Sequence, residues 1–138
     1  MRALIETRLS DWAADNELPV AWENLAFTPP TDATGNPLPY LKFNLLPAQT
    51  RSDDLAGQLR AWSGIAQIAI FVPSGSGPRA AEDLVGQLDA LYPCQTYIAS
   101  TAIKVLIQTP VTAGNGFNDD AYYAVPAYFQ YRADASLA

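Results

Sequence analysis

The sequence predicts an α+β fold in which two helices pack on one face of a mostly antiparallel or mixed sheet of about five strands. Three observations predict it. Apolar residues alternate with period two in several segments after residue 40, they recur with the helical period over 2–14 and 78–91, and each apolar face so produced needs a partner. The length of 138 residues and a 49% hydrophobic content suit one domain, 1–138, with a proper core.

The elements follow in order. Over residues 2–14, Leu4, Ile5, Leu9 and Trp12 share one side while Arg2, Glu6 and Asp11 are left to solvent, the pattern of a short amphipathic helix. Pro19 ends the link, and VAWENLAF (20–27) reads as a first short strand. TPPTDATGNPLP is rich in turn residues and must be loop. A second strand follows, with Leu41, Phe43 and Leu45 alternating with Tyr40, Lys42 and Asn44.

PAQTRSDDLAGQLR breaks the periodicity and reads as a long exposed loop. From Leu59 to Val72 the chain is strand again. Ala66, Ile68, Ile70 and Val72 take one face and Ile65, Ala69 and Phe71 the other, so both faces are apolar and the strand is central. Residues 78–91 form the clearest helix, with Ala81, Leu84, Val85, Leu88 and Leu91 on one stripe, Pro78 at its first position and Gly77 as cap. After Pro93, QTYIAS and AIKVLIQTPV are strand-like, the second burying Ile103, Val105 and Ile107. Asn115-Gly116 lies in a turn or loop. The last strand runs from about Tyr122 to Arg132, and Pro126 implies an edge position or a bulge.

Composition excludes several function classes. The chain has no histidine, which removes Ser-His-Asp and Cys-His catalysis and histidine-based zinc sites. Cys94 is the only cysteine, so no intrachain disulfide is possible, and no histidine is present to activate its thiol. The net charge of −6 argues against nucleic acid as a direct partner. No apolar run is long enough to span a bilayer, and the charged start MRALIETRLSDW is unlike a signal peptide, so a cytoplasmic origin is expected.

Three constellations deserve a chemical reading. Gly75, Gly77 and Ala80 follow an apolar strand with the spacing of a dinucleotide fingerprint. The acidic residue that should follow ~20 positions on is missing from YPCQTYIAS, and Pro78 explains the turn as a helix start. Asp119-Asp120 beside Asn115 and Asn118 lacks the spacing of a calcium loop and reads as a solvated turn. Asp53-Asp54 reads as a charged exposed loop. No catalytic residue, metal site or cofactor is expected.

The pieces PVAWENLAFTPP, PYLKFNLLPAQT, LAGQLRAWSGIAQIAIFVPSGSGPRAAEDLVGQLDALYP and NDDAYYAVPAYFQYRAD, taken in order, resemble the phage tail terminator-like family over nearly the whole chain. The most specific part is Arg60, Ala61, Trp62, Ser63, Gly64 and Ile65, running on through Gln67, Phe71, Val72 and Pro73 to Gly75, Gly77 and Pro78. A second is the ending, in which an acidic pair precedes an aromatic, Val-Pro and a strand closing on Tyr131-Arg132. The Leu55-Ala56-Gly57 step departs from the pattern, which often has glycine in the middle. The resemblance implies a non-enzymatic virion component: a subunit of a ring, of six, that docks on a finished tail tube, stops its polymerisation and offers a surface to the head-tail connector. It implies assembly in the host cytoplasm and a place at the head-proximal end of the tail.

On that reading the exposed loop 49–58 with Arg60 and Trp62 is expected to make the subunit or tube contacts. Arg51, Asp53, Asp54, Arg60 and Trp62 are the candidate interface residues, since Arg and Trp anchor interfaces and the aspartates suit a basic neighbour. Trp62 packed into its own core is the open alternative. The rival classes are a small enzyme or ligand-binding domain using the Gly75-Gly77 turn or loop carboxylates, and a binding module unrelated to phage.

Overall fold

The computed structural model describes residues 1–136 apart from Gln49, Asp53, Asp54, Thr101 and Ala102. The chain runs α1 (Arg2–Asp15), β1 (Val20–Ala21), β2 (Tyr40–Pro47), β3 (Arg51–Ser52), β4 (Leu59–Pro73), α2 (Arg79–Leu91), β5 (Tyr97–Ala99), β6 (Ile103–Ile107), β7 (Thr112–Ala113), β8 (Phe117–Asp119) and β9 (Tyr122–Ser136). The main sheet has the order β1-β2-β4-β9-β6-β5, with β3 added to β4 and with β7 and β8 added to β9. All its pairs are antiparallel except β1 with β2, so the sheet is mixed, and it has more strands than the expected five. The strands not foreseen, β3, β7 and β8, are two- and three-residue segments, too short for alternation to be visible in sequence.

The spine is the pairing of β4 with β9. Each has fifteen residues, and they match along their full length from Leu59↔Ser136 to Pro73↔Tyr122. At ~3.4 Å per residue such a pair is about 50 Å long, whereas a helix of fourteen residues covers about 21 Å. Both helices lie on one face of this sheet and cannot cover all of it.

The covered face holds the main core. Leu41, Phe43 and Leu45 of β2 sit in register with Ile70, Ile68 and Ala66 of β4, which face Val125, Ala127 and Phe129 of β9. Ile5, Leu9 and Ala13 of α1 and Ala81 and Leu88 of α2 close over them. Tyr92, at the end of α2, is fully buried, packs on Phe129 with ring centroids 4.7 Å apart and donates its hydroxyl to the Ile5 carbonyl at 2.8 Å. One side chain thereby ties the two helices together, and burial raises its phenol above the ordinary value.

The sheet has a second, smaller core on its other face. Tyr40 stacks on Phe71 with ring centroids 4.5 Å apart, Tyr122 meets both edge-on, and Phe27 from the loop after β1 covers them. The Tyr122 hydroxyl lies 3.0 Å from the Leu38 carbonyl and 3.2 Å from that of Pro30, which holds the loop down. Tyr40 is therefore buried like its neighbour Leu41, though less completely, although alternation places it on the opposite face.

Several boundaries differ from the sequence reading; AIKVLIQTPV, for one, is strand only over Ile103–Ile107. VAWENLAF is strand only at Val20–Ala21: Trp22 turns onto Phe43, Asn24 takes a left-handed backbone, and the Glu23 carboxylate accepts the Leu45 amide. The segment before β4 is broken by β3, whose Arg51 and Ser52 pair with Ala61 and Arg60. Pro78 is the N-cap of α2 rather than its first helical residue. Finally, β9 runs on to Ser136, and Pro126 lies in a strand paired on both sides. The proline is tolerated because its carbonyl accepts the Gly114 amide on the side where the partner breaks between β7 and β8. Its imino nitrogen faces that same break, where no ladder hydrogen bond is required.

Candidate functional site

The two most distinctive stretches of the sequence meet in space. Gly64 of β4 pairs directly with Tyr131 of β9. A Cβ on Gly64 would stand 2.8 Å from the Tyr131 hydroxyl and 3.0 Å from the Pro47 Cα, and closer still to the Leu46 carbonyl oxygen. Only glycine lets the fully buried Tyr131 ring lie across β4 while β2 closes on its other edge. The Tyr131 hydroxyl has no hydrogen-bond partner among the described residues, and its burial raises the phenol pKa against a smaller opposing effect of Arg2.

From this crossing the β4–β9 pair continues to its end at Leu59 and Ser136, flanked by β3 on one side and β6 on the other. This end carries the residues expected to form an interface. Arg51 is exposed on β3 opposite Ala61. Arg60 folds back on its own turn, its guanidinium bonded to the Gly57 carbonyl and 3.2 Å from the Ser52 hydroxyl. Gly57 is left-handed, with φ of 71°, which explains a glycine at this position of the turn. Trp62 is half-buried and packs against the main core on the helix-covered face. Asp53 and Asp54 lie outside the described residues. The structure thus brings Arg51, Arg60 and Trp62 to one end of the sheet, with Arg60 and Trp62 turned partly inward.

The other constellations have local explanations. Gly75 and Gly77 both have positive φ, and a Cβ on either would meet nothing within 4 Å, so the glycines serve the backbone of the turn. The Ser76 hydroxyl donates to the Pro73 carbonyl at 2.7 Å, and Glu82 occupies the first turn of α2, where it disfavours a phosphate. Asp120 and Ala121 form the two-residue turn joining β8 to β9, with Asp120 at φ of 50°. The Cys94 thiol lies 3.6 Å from the Gln108 carbonyl. Among the described residues no three of Asp, Glu, Cys and His gather in a way that could hold a metal ion, and no helix is long and apolar enough to cross a membrane.

Sequence reasoning missed the surface left open by the helices. On the uncovered face, a shallow depression is lined by Ala48, Arg51, Ser63, Ile65, Gln130 and Arg132, among others. Around it stand the exposed apolar side chains of Leu46, Leu59, Tyr97 and Tyr128. The signal was present in β9, where Tyr128, Gln130, Arg132 and Asp134 alternate with the buried set, but alternation alone does not say which polar faces remain bare.

The comparisons agree with the geometry. The phage tail terminator protein family matches residues 1–131. A solved structure whose own name states no function is 38% identical and superposes with a TM-score of 0.76, covering 96% of this chain and 92% of the other. No curated protein matches the sequence. The family match takes in both the Gly64 strand and its Tyr131 partner, and with it the chain belongs to the phage tail terminator family, whose members are structural components of the phage tail.

Proposed function

We propose that the chain is one subunit of a ring, of six copies, that caps the finished tail tube, ends its polymerisation and presents the surface to which the head-tail connector joins. Assembly takes place in the host cytoplasm, and the mature position is the head-proximal end of the tail. The observation that carries this reading is the family match over 1–131, which spans every element of the fold but the last five residues of β9. The two unlike faces of the sheet add support, because a closed ring requires heterologous contacts between different surfaces of identical subunits.

Loop 49–58 with Arg60 and Trp62 is the proposed contact to the tube or the neighbouring subunit, and Arg51, Asp53 and Asp54 are its charged part. The partners are proteins throughout, and neither nucleic acid nor membrane is engaged directly. The test is complementation of a tail-assembly extract that lacks its terminator. Added protein is expected to fix tail length and allow head joining, and tubes that still overgrow at saturating protein would sink the reading. If Arg51→Ala, Asp53→Ala and Trp62→Ala each leave ring formation and joining untouched, the loop is not the contact.

A further inference from the structure

The uncovered sheet face and the helical layer of this chain have opposite charge. Strand register puts Lys42, Arg51, Lys104 and Arg132 on the uncovered face, with Asp119 and Asp134 as its acidic residues among the described strand positions. Lys104, Asp134, Ala61 and Arg51 form one row across four strands, and Arg132 stands one row away, its guanidinium 3.0 Å from Asp134. The two helices instead carry three basic and six acidic residues. Glu82 and Asp83 on α2 and Asp11 and Asp15 on α1 are exposed.

The uncovered face also carries the apolar anchors. Leu46, Leu59, Tyr97 and Tyr128 are 49%, 45%, 61% and 38% exposed, and register places all four on this side of the sheet. Tyrosine and arginine beside aliphatic groups are the composition of an interface centre. Neither helix contributes a large exposed hydrophobic side chain among the described residues.

We propose that the uncovered sheet face of one subunit docks on the acidic helical flank of a second copy, centred on Glu82 and Asp83. This rests on the ring reading and deepens it: the contact is heterologous, each copy offers both halves, and complementary charge fixes the order of subunits. The occupant is another copy of this chain because the required acidic surface is present on the subunit itself.

The test is reversal of each half separately, with sedimentation velocity as the readout. One variant carries Lys42→Glu and Lys104→Glu, the other Glu82→Lys and Asp83→Lys. All four side chains are exposed, so both variants are expected to keep the wild-type circular dichroism and melting temperature. Wild type is expected to sediment as a closed oligomer that dissociates as salt rises. Each variant alone is expected to associate at least ten-fold more weakly. Their equimolar mixture is expected to recover a closed oligomer, because alternating copies restore every contact.

Retained assembly in either folded variant, or a mixture that stays dissociated, overturns the contact while leaving tail capping standing. A wild-type chain that is monomeric at every concentration overturns it as a self-assembly contact, and the extract assay then decides the ring reading separately. Salt-sensitive binding of duplex DNA, lost on reversing the lysines while assembly persists, assigns the face to nucleic acid and likewise overturns the proposal.

Discussion

Replacing Gly64 by alanine puts a methyl group into space already taken by three neighbours. The new Cβ would sit 2.8 Å from the Tyr131 hydroxyl, 3.0 Å from the Pro47 Cα and nearer still to the Leu46 carbonyl. Two of these are backbone atoms of β2, which is locked to β4 through eight registered pairs, so relief requires β2 to be pried outward. Overpacking of this kind costs about 1–3 kcal/mol, and the lower entropy of an unfolded alanine offsets at most about 1 kcal/mol. The net expectation is a loss of about 2 kcal/mol, or roughly 6–8 °C in Tm for a domain of this size.

The same geometry predicts the outcome of a cycle. Tyr131→Phe removes a hydroxyl that has no partner among the described residues, so alone it is expected to be neutral or to stabilise by up to about 1 kcal/mol. In the double variant one of the three obstacles is gone, and the combined loss should fall short of the sum by about 0.5–1.5 kcal/mol. The assay is urea unfolding followed by tryptophan fluorescence, with Trp62 two residues from the substitution. A Gly64→Ala protein within about 0.3 kcal/mol of wild type, or a strictly additive cycle, would refute the close-approach argument.

Three further outcomes follow from particular contacts. Glu23→Ala removes the carboxylate that accepts the Leu45 amide and lies 3.4 Å from Arg2, so a loss of about 1 kcal/mol in urea unfolding is expected, with more aggregation as the β2 edge is bared. Tyr122→Phe releases the loop over the second core from its hold on the Leu38 carbonyl; limited proteolysis is expected to cut within 22–39 faster, and unchanged cleavage would show that Phe27 packing suffices. The Asp32 carboxylate accepts from the Thr34 hydroxyl and amide and the Asn36 amide, and the Thr34 side chain leads in holding its pKa below the ordinary value. A depressed folded pKa means the turn's stabilisation is full above the unfolded carboxylate pKa of ~3.9 and fades as pH falls through the lower folded value. An NMR titration of the Thr34 and Asn36 amides should show that midpoint below that of an unstructured aspartate.

The sequence by itself determined the layers. Period-two runs in 40–46 and 65–72 and the stripe from Ala81 to Leu91 have only one economical burial, with helices over one face of a sheet, and the structure has that arrangement. The Arg60–Gly64 and Tyr131-Arg132 stretches were legible as a family pattern for a local reason, since such motifs are contiguous. The cause of the pattern was not legible, because Gly64 and Tyr131 are 67 positions apart and only strand register makes one the reason for the other. Tertiary structure also decided the fate of residue types that alternation treats alike. Tyr40 and Lys42 lie on the same face of β2, yet Tyr40 is buried beneath Phe27 and Lys42 is exposed. A strand's sequence specifies which residues point together, whereas what covers them is set by chain segments many residues away. The same holds for the candidate interface: its charges are spread over β2, β3, β6 and β9, and only the sheet order gathers them on the one face that the helices leave open.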